Sequence, residues 1–126
     1  MHHSDKLEKI CEDIFAISHN IRSAIVIDKM GKHIAGGMRE GVKSMEEKKD
    51  SRRLYIEFAL RSVMREEFDQ EFGKTIYSFS VREKIKLASF PLDDYHIVRV
   101  SIEKEETDHD RIIENILKIL RKKDST

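Results

Sequence analysis

The sequence predicts an α/β domain of the α+β kind, with a five-stranded antiparallel sheet held between helical layers. Three observations carry this. Ala24-Ile25-Val26-Ile27 is an unbroken apolar run rich in β-branched residues, as expected of a strand covered on both faces. Later in the chain, short runs alternate apolar and polar residues between turn signals, as half-buried strands do. The remaining apolar residues recur at three and four positions, the period of amphipathic helices.

Composition narrows the class of function. The chain has 126 residues, the usual size of one domain. Charged residues make up 38%, well above the usual quarter or so, which implies a densely ionic surface. The 24 basic residues balance the 24 acidic ones, so no global charge draws the protein to nucleic acid or an anionic membrane. Cys11 is the sole cysteine and no disulfide can close within the chain; its place on an apolar helical stripe reads as a core thiol. No apolar run approaches membrane-spanning length and the start lacks a signal-peptide core, so a cytoplasmic location is expected. His2-His3 is weak evidence for metal.

In chain order, Ser4 is placed to cap a first helix over about 5–18, with Leu7, Ile10, Cys11, Ile14 and Ile17 as its stripe. A first strand follows at about 22–28. Asp28-Lys29-Met30-Gly31 supplies a turn, and His33-Ile34-Ala35 returns as a short strand over about 32–36. Gly36, Gly37 and Gly41 then argue against regular structure: a flexible exit from an edge strand, or a close backbone approach to a ligand. No GxGxxG or GK[ST] accompanies them, which speaks against a nucleotide-phosphate loop.

Ser44 with Glu47 resembles a capping box and Asp50 is a second cap; a long helix is expected over about 50–72, closed by Gly73. Its wheel carries two apolar stripes. Leu54, Phe58, Phe68 and Phe72 fall on one side; Ile56, Leu60, Val63 and Met64 fall largely on the other. A surface helix needs one stripe, so the second is expected to meet a second subunit. Glu57, Arg61 and Arg65 lie close to the phenylalanine stripe, and Glu57 is spaced to pair with Arg61; they are a candidate ligand or ion-pair site.

Three strands follow, at about 75–81, 85–90 and 95–103, as an antiparallel meander. In the first, Tyr77 and Phe79 share a face; in the last, Val98, Val100 and Ile102 oppose Arg99 and Ser101. Thr107 with Asp110 forms a capping box for a last helix over about 107–122. Its stripe is Ile112, Ile113, Ile116, Leu117 and Leu120, and Arg121-Lys122-Lys123 suit its C-terminal dipole. With the doubly apolar strand central, the sheet order becomes 2-1-5-4-3. The two terminal helices then cover one face and the long helix the other. The third strand is left as a free edge near the long helix, and both can enter a two-fold interface through Ile56, Leu60, Val63, Met64, Tyr77 and Phe79.

This order, α-β-β-α-β-β-β-α, resembles the roadblock/LC7 domain, a relative of longin and profilin-like folds. The local likeness lies in IRSAIVIDKMGKHIA, where such domains carry an apolar strand, an Asp-x-x-Gly-like turn and a second strand. The chain is also similar to small archaeal proteins of the same arrangement. The resemblance spans nearly the whole chain, 1–126, in element order. It implies a non-enzymatic homodimer that scaffolds or regulates small GTPases or motor complexes, joined through the long helix and the adjacent edge strand. The charged stretch 45–53 and the intruding Arg61 and Arg65 depart from that pattern.

The second class of function is a small-molecule sensor resembling PAS or GAF domains, which needs a cavity near Tyr77, Phe79, Arg61 and Arg65. An enzyme is the weakest reading. His19, His33, His96 and His109 sit in separate segments without metal-ligand spacing, and no Ser, Cys or carboxylate has a recognisable catalytic setting. No cofactor or metal is expected. The basic residues Lys48, Lys49, Arg52 and Arg53 are interrupted by acidic ones and lack interleaved aromatics, against nucleic-acid binding.

Overall fold

The structure, a computed structural model, describes residues 3–122. Its elements are α1 (His3–Phe15), β1 (Ile21–Asp28), β2 (His33–Met38), α2 (Lys48–Glu66), α3 (Asp69–Phe72), β3 (Ser78–Val81), β4 (Ile85–Pro91), β5 (His96–Glu103) and α4 (His109–Lys122). The sheet is antiparallel throughout, in the order β2-β1-β5-β4-β3. The expected α+β architecture and strand order are therefore observed.

The pleat of β1 divides the interior. Ala24 and Val26 face the main core, which α1 and α4 complete with Leu7, Ile10, Ile14, Ile112 and Ile116. Ile25 and Ile27 face the other way, into a small cluster with Ile97 and Ala59, flanked by Tyr55 and Phe58 of α2. The layers are unequal. The cluster under α1 and α4 holds eighteen buried residues among those described, against four under α2. Each fully buried Ile or Leu contributes about 1.5–3 kcal/mol, so most hydrophobic stabilisation lies on the terminal-helix side.

Local chemistry moves several boundaries. The first helix ends at Phe15, and Arg39 reaches back to close it. Its guanidinium donates to the carbonyls of Phe15 (2.8 Å), Ser18 (2.6 Å) and Ile21 (2.7 Å). A basic side chain from beyond β2 thus serves carbonyls the helix end leaves open. His2, the side chains of His3 and Ser4, and Lys123 lie outside the described residues. The expected Ser44–Glu47 box does not form: Ser44 Oγ donates to the Glu46 carbonyl, and α2 starts at Lys48 behind Glu47 without a side-chain cap. At α4, Asp108 rather than Thr107 accepts the Arg111 N–H, at 3.3 Å.

The expected long helix is two helices. At the end of α2 the bonds tighten to Glu67 N–H···Met64 O and Phe68 N–H···Arg65 O, and the chain restarts as the single turn α3. Gly73 caps that turn, donating to the Asp69 carbonyl. Residues 75–77 precede the ladder, leaving β3 only four residues long. On β4, Lys86 is buried and donates to the Glu106 carbonyl at 2.5 Å.

The glycines after the hairpin do not end regular structure: β2 runs through Gly36 and Gly37 to Met38. Gly36 has φ +77°, and a Cβ there would lie 2.0 Å from the Ala24 carbonyl oxygen and 2.7 Å from Cys11 Sγ. The close approach is to the protein's own core. Burial, with Glu8 and Glu12 nearby, pushes the Cys11 thiol up to about 12, consistent with a packed, unreactive thiol. Gly36→Ala is expected to destabilise the fold by about 2–4 kcal/mol through left-handed strain and overpacking. Urea denaturation checks this; a midpoint unchanged from wild type would show that the approach can relax.

Candidate interaction surface

Helix α2 meets the sheet through few side chains. Among its described residues only Ala59 is fully buried. Tyr55 and Phe58 flank it and lie over the guanidinium of Arg99, on β5, with ring centroids 5.7 and 4.7 Å from Cζ. Arg99 is one of the buried charged residues, and burial pulls its pKa below the ordinary arginine value against the raising effects of Tyr55 and Glu46. Cation–π contact in a desolvated setting is worth up to about 2 kcal/mol, so Arg99 helps to seat the helix. Two contacts from the β1–β2 turn fix α2 along its length. Lys29 pairs with Glu66 at 2.5 Å, and Gly31 lies against the backbone of Ile56. Asp28 shapes that turn by accepting the N–H groups of Met30 and Lys32, both at 2.9 Å.

With this side seated, the other side of α2 is left to solvent. Ile56 is 42% exposed, Leu60 57%, Val63 39% and Met64 55%. The stripe read from the sequence as outward-facing is outward-facing. The opposite stripe is only partly internal. Phe58 packs on the sheet and Leu54 is half-buried, but Phe68 and Phe72 are exposed and stack on each other at 6.1 Å. The break after Glu66 takes them off the helical wheel that was to bury them.

Strand β3 is an edge, bonded only to β4 in the sheet order. Its aromatic neighbourhood serves the other layer. Phe79 packs against the main core and stacks on His109 at 4.5 Å; Tyr77 stacks on Phe90 at 5.9 Å. Tyr77 and Phe79 therefore do not share a face with the exposed stripe of α2. Glu57 and Arg61 form the expected pair at 2.5 Å, with both side chains about half exposed. Such surface pairs contribute a few tenths of a kcal/mol. Arg65 is exposed. Arg61 and Arg65 lie on the α2 side and Tyr77 and Phe79 on the α4 side, so these four residues line no common cavity.

Three grooves flank α2, among them a smaller one of about 370 Å³ beside Lys29, Ser62 and Glu66. Another of about 500 Å³ lies beside β2, between Lys32, His33, Met38, Arg52 and Tyr55. A wider one of about 710 Å³ lies toward the β3–β4 hairpin, with Leu54, Ile85, Leu87 and Arg99 in its walls. Arg99 went unread as a site residue in the sequence. The available signal was a charge at the centre of an otherwise apolar strand, on the face opposite Val98, Val100 and Ile102. Among the described residues no group of three or more His, Cys, Asp or Glu could hold a metal ion, and no helix is long and apolar enough to cross a membrane.

Comparison with known proteins gives the fold a context. A family model described as a family of unknown function (DUF6659) matches residues 3–125. No curated protein matches the chain significantly in sequence. Among solved structures, a roadblock/LC7 domain from Streptomyces avermitilis superposes with a TM-score of 0.69 at 7% identity, over 94% of each chain. Myxococcus xanthus MglB gives 0.69 at 14% identity, over 99% of this chain and 100% of that one. An MglB with a tetrameric arrangement gives 0.69 at 11%, over 97% and 93%. At such identities the likeness is one of fold: the chain has the roadblock/LC7 fold.

The seating of α2 on the hairpin turn is directly testable. A Cβ on Gly31, which has φ +84°, would lie 2.6 Å from Ile56 Cα. Gly31→Ala is expected to cost about 1–3 kcal/mol and to lower hydrogen-exchange protection in α2 while β1 and β5 stay protected. Uniform loss of protection in all three elements would refute separate seating.

Proposed function

The chain belongs to DUF6659 and has the roadblock/LC7 fold, and on that premise we propose that it is a non-enzymatic, homodimeric interaction module. The observation that carries this reading is the outward stripe of α2, where Ile56, Leu60, Val63 and Met64 stand exposed together on a helix with one fully buried residue. Contiguous exposed apolar side chains mark surfaces that are covered in use. A second copy is the most economical cover, because a two-fold axis brings the same stripe onto itself. The short free edge of β3 lies in sequence just beyond α2 and α3, and Tyr77 and Phe79 are assigned to the margin of the interface rather than its centre.

The module acts by binding other proteins in the cytoplasm. A small GTPase is the partner class that the family resemblance suggests, and the MglB with a tetrameric arrangement supports self-association as a property of the fold. Glu57, Arg61 and Arg65 are exposed on the same helix and supply a polar margin for such an interface.

Sedimentation at micromolar concentration is expected to show a dimer. Leu60→Glu or Val63→Glu should weaken it by roughly a hundredfold or more, since a carboxylate would be buried against apolar partners. A wild-type monomer under these conditions would defeat the homodimeric reading.

A further inference from the structure

The wide groove between α2 and the β3–β4 hairpin contains a group that the fold leaves unsatisfied. Arg99 is 5% exposed and lines that groove. Its Nε is closed to solvent and has no hydrogen-bond partner. No hydrogen bond or ion pair from another described residue reaches its guanidinium; its contacts are the faces of Tyr55 and Phe58. Ring faces offset part of the desolvation of a cation but accept none of its N–H groups in a directed bond. Buried arginines are ordinarily paired, and a guanidinium presents its donors in a fork that matches a carboxylate.

The surroundings narrow the ligand. The walls near Arg99 are apolar, made by Met45, Leu54, Val81, Ile85 and Leu87. At about 710 Å³ the groove is of the size that takes small organic molecules. Charge at the rim is mixed: Arg82 and Lys84 on the hairpin, Glu83 between them, and Glu46 across the groove. Glu46 acts on Arg99 through space but is held by a hydrogen bond from Ser51 Oγ at 3.1 Å. One deep cation with a carboxylate nearby suits a single negative charge better than a phosphate dianion.

We propose that this groove binds a small organic monocarboxylate, its carboxylate on Arg99 and its apolar body against Leu54, Ile85 and Leu87. The proposal rests on a different observation from the dimer. None of Ile56, Leu60, Val63 and Met64 lines the groove, so the two surfaces are separable.

The test is a titration of the full chain with phenylpropanoate and, in parallel, with its neutral amide, followed by backbone and arginine side-chain NMR. Saturable shifts at Leu54, Ile85, Leu87 and Arg99 Nε–H are expected, with the acid binding at least roughly tenfold tighter than the amide. Arg99→Met should remove the preference for the acid. Glu46→Gln, at a half-buried rim position, should strengthen acid binding, and serves if the Arg99 variant does not fold. Equal affinity for acid and amide, or no saturable shift at millimolar ligand, would overturn the proposal. Leu60→Glu should leave binding intact. Binding seen only in that variant would mean that a second copy fills the groove, which also overturns it. A monomeric wild type that still prefers the acid would defeat the dimer reading and leave this one standing.

Discussion

Both faces of β1 are apolar, and this constraint organises the molecule. Ala24 and Val26 need cover on one side, Ile25 and Ile27 on the other, and neither side can be left to water without losing about 1.5–3 kcal/mol per large side chain. A strand under that demand belongs in the interior of a sheet with layers above and below it. The helices then divide by chain order. Those at the two termini meet over one face, and the helix between the hairpin and the meander takes the other. The position of β3 at the outer edge follows from the same placement, because the meander fills the sheet outward from β5.

The two layers are built by different physics. On the α1–α4 side, stacked isoleucines and leucines close a conventional core. On the α2 side, a cation between two rings, a glycine against a helix backbone and one ion pair do much of the seating. That economy leaves α2 with apolar residues to spare. It also leaves Arg99 Nε without an acceptor among the described residues. The exposed stripe and the unsatisfied guanidinium are thus two consequences of one lightly attached helix.

How much of this could be read from the residues depends on whether the signal was local. The unbroken run 24–27 is local, and it gave the central strand and hence the sheet order. The outward stripe of α2 was readable because a helical wheel needs only periodicity. Phe68 and Phe72 were misplaced because the wheel assumes a continuous helix, and no Gly or Pro announces the break after Glu66. The glycine-rich stretch from Gly36 read as an exit from regular structure because the cause at Gly36, the approach of Cys11 and Ala24, is long-range. Tyr77 and Phe79 were assigned a shared face correctly, but which layer that face joins depends on pairing with β4. Arg99 illustrates the limit for sites: alternation gives its face, while only the coordinates show that no described residue accepts from its Nε there.

The inequality of the layers bears on how the molecule comes apart. A helix held by a handful of polar and aromatic contacts can lift away while the sheet and its other cover stay intact. Such an opening would lay Ile25, Ile27 and Ile97 bare as a flat β-strip, a surface prone to adhesion between chains. Any partner that clamps α2 from outside therefore also acts as a guard against clumping, by holding shut the one door the fold leaves on a weak latch.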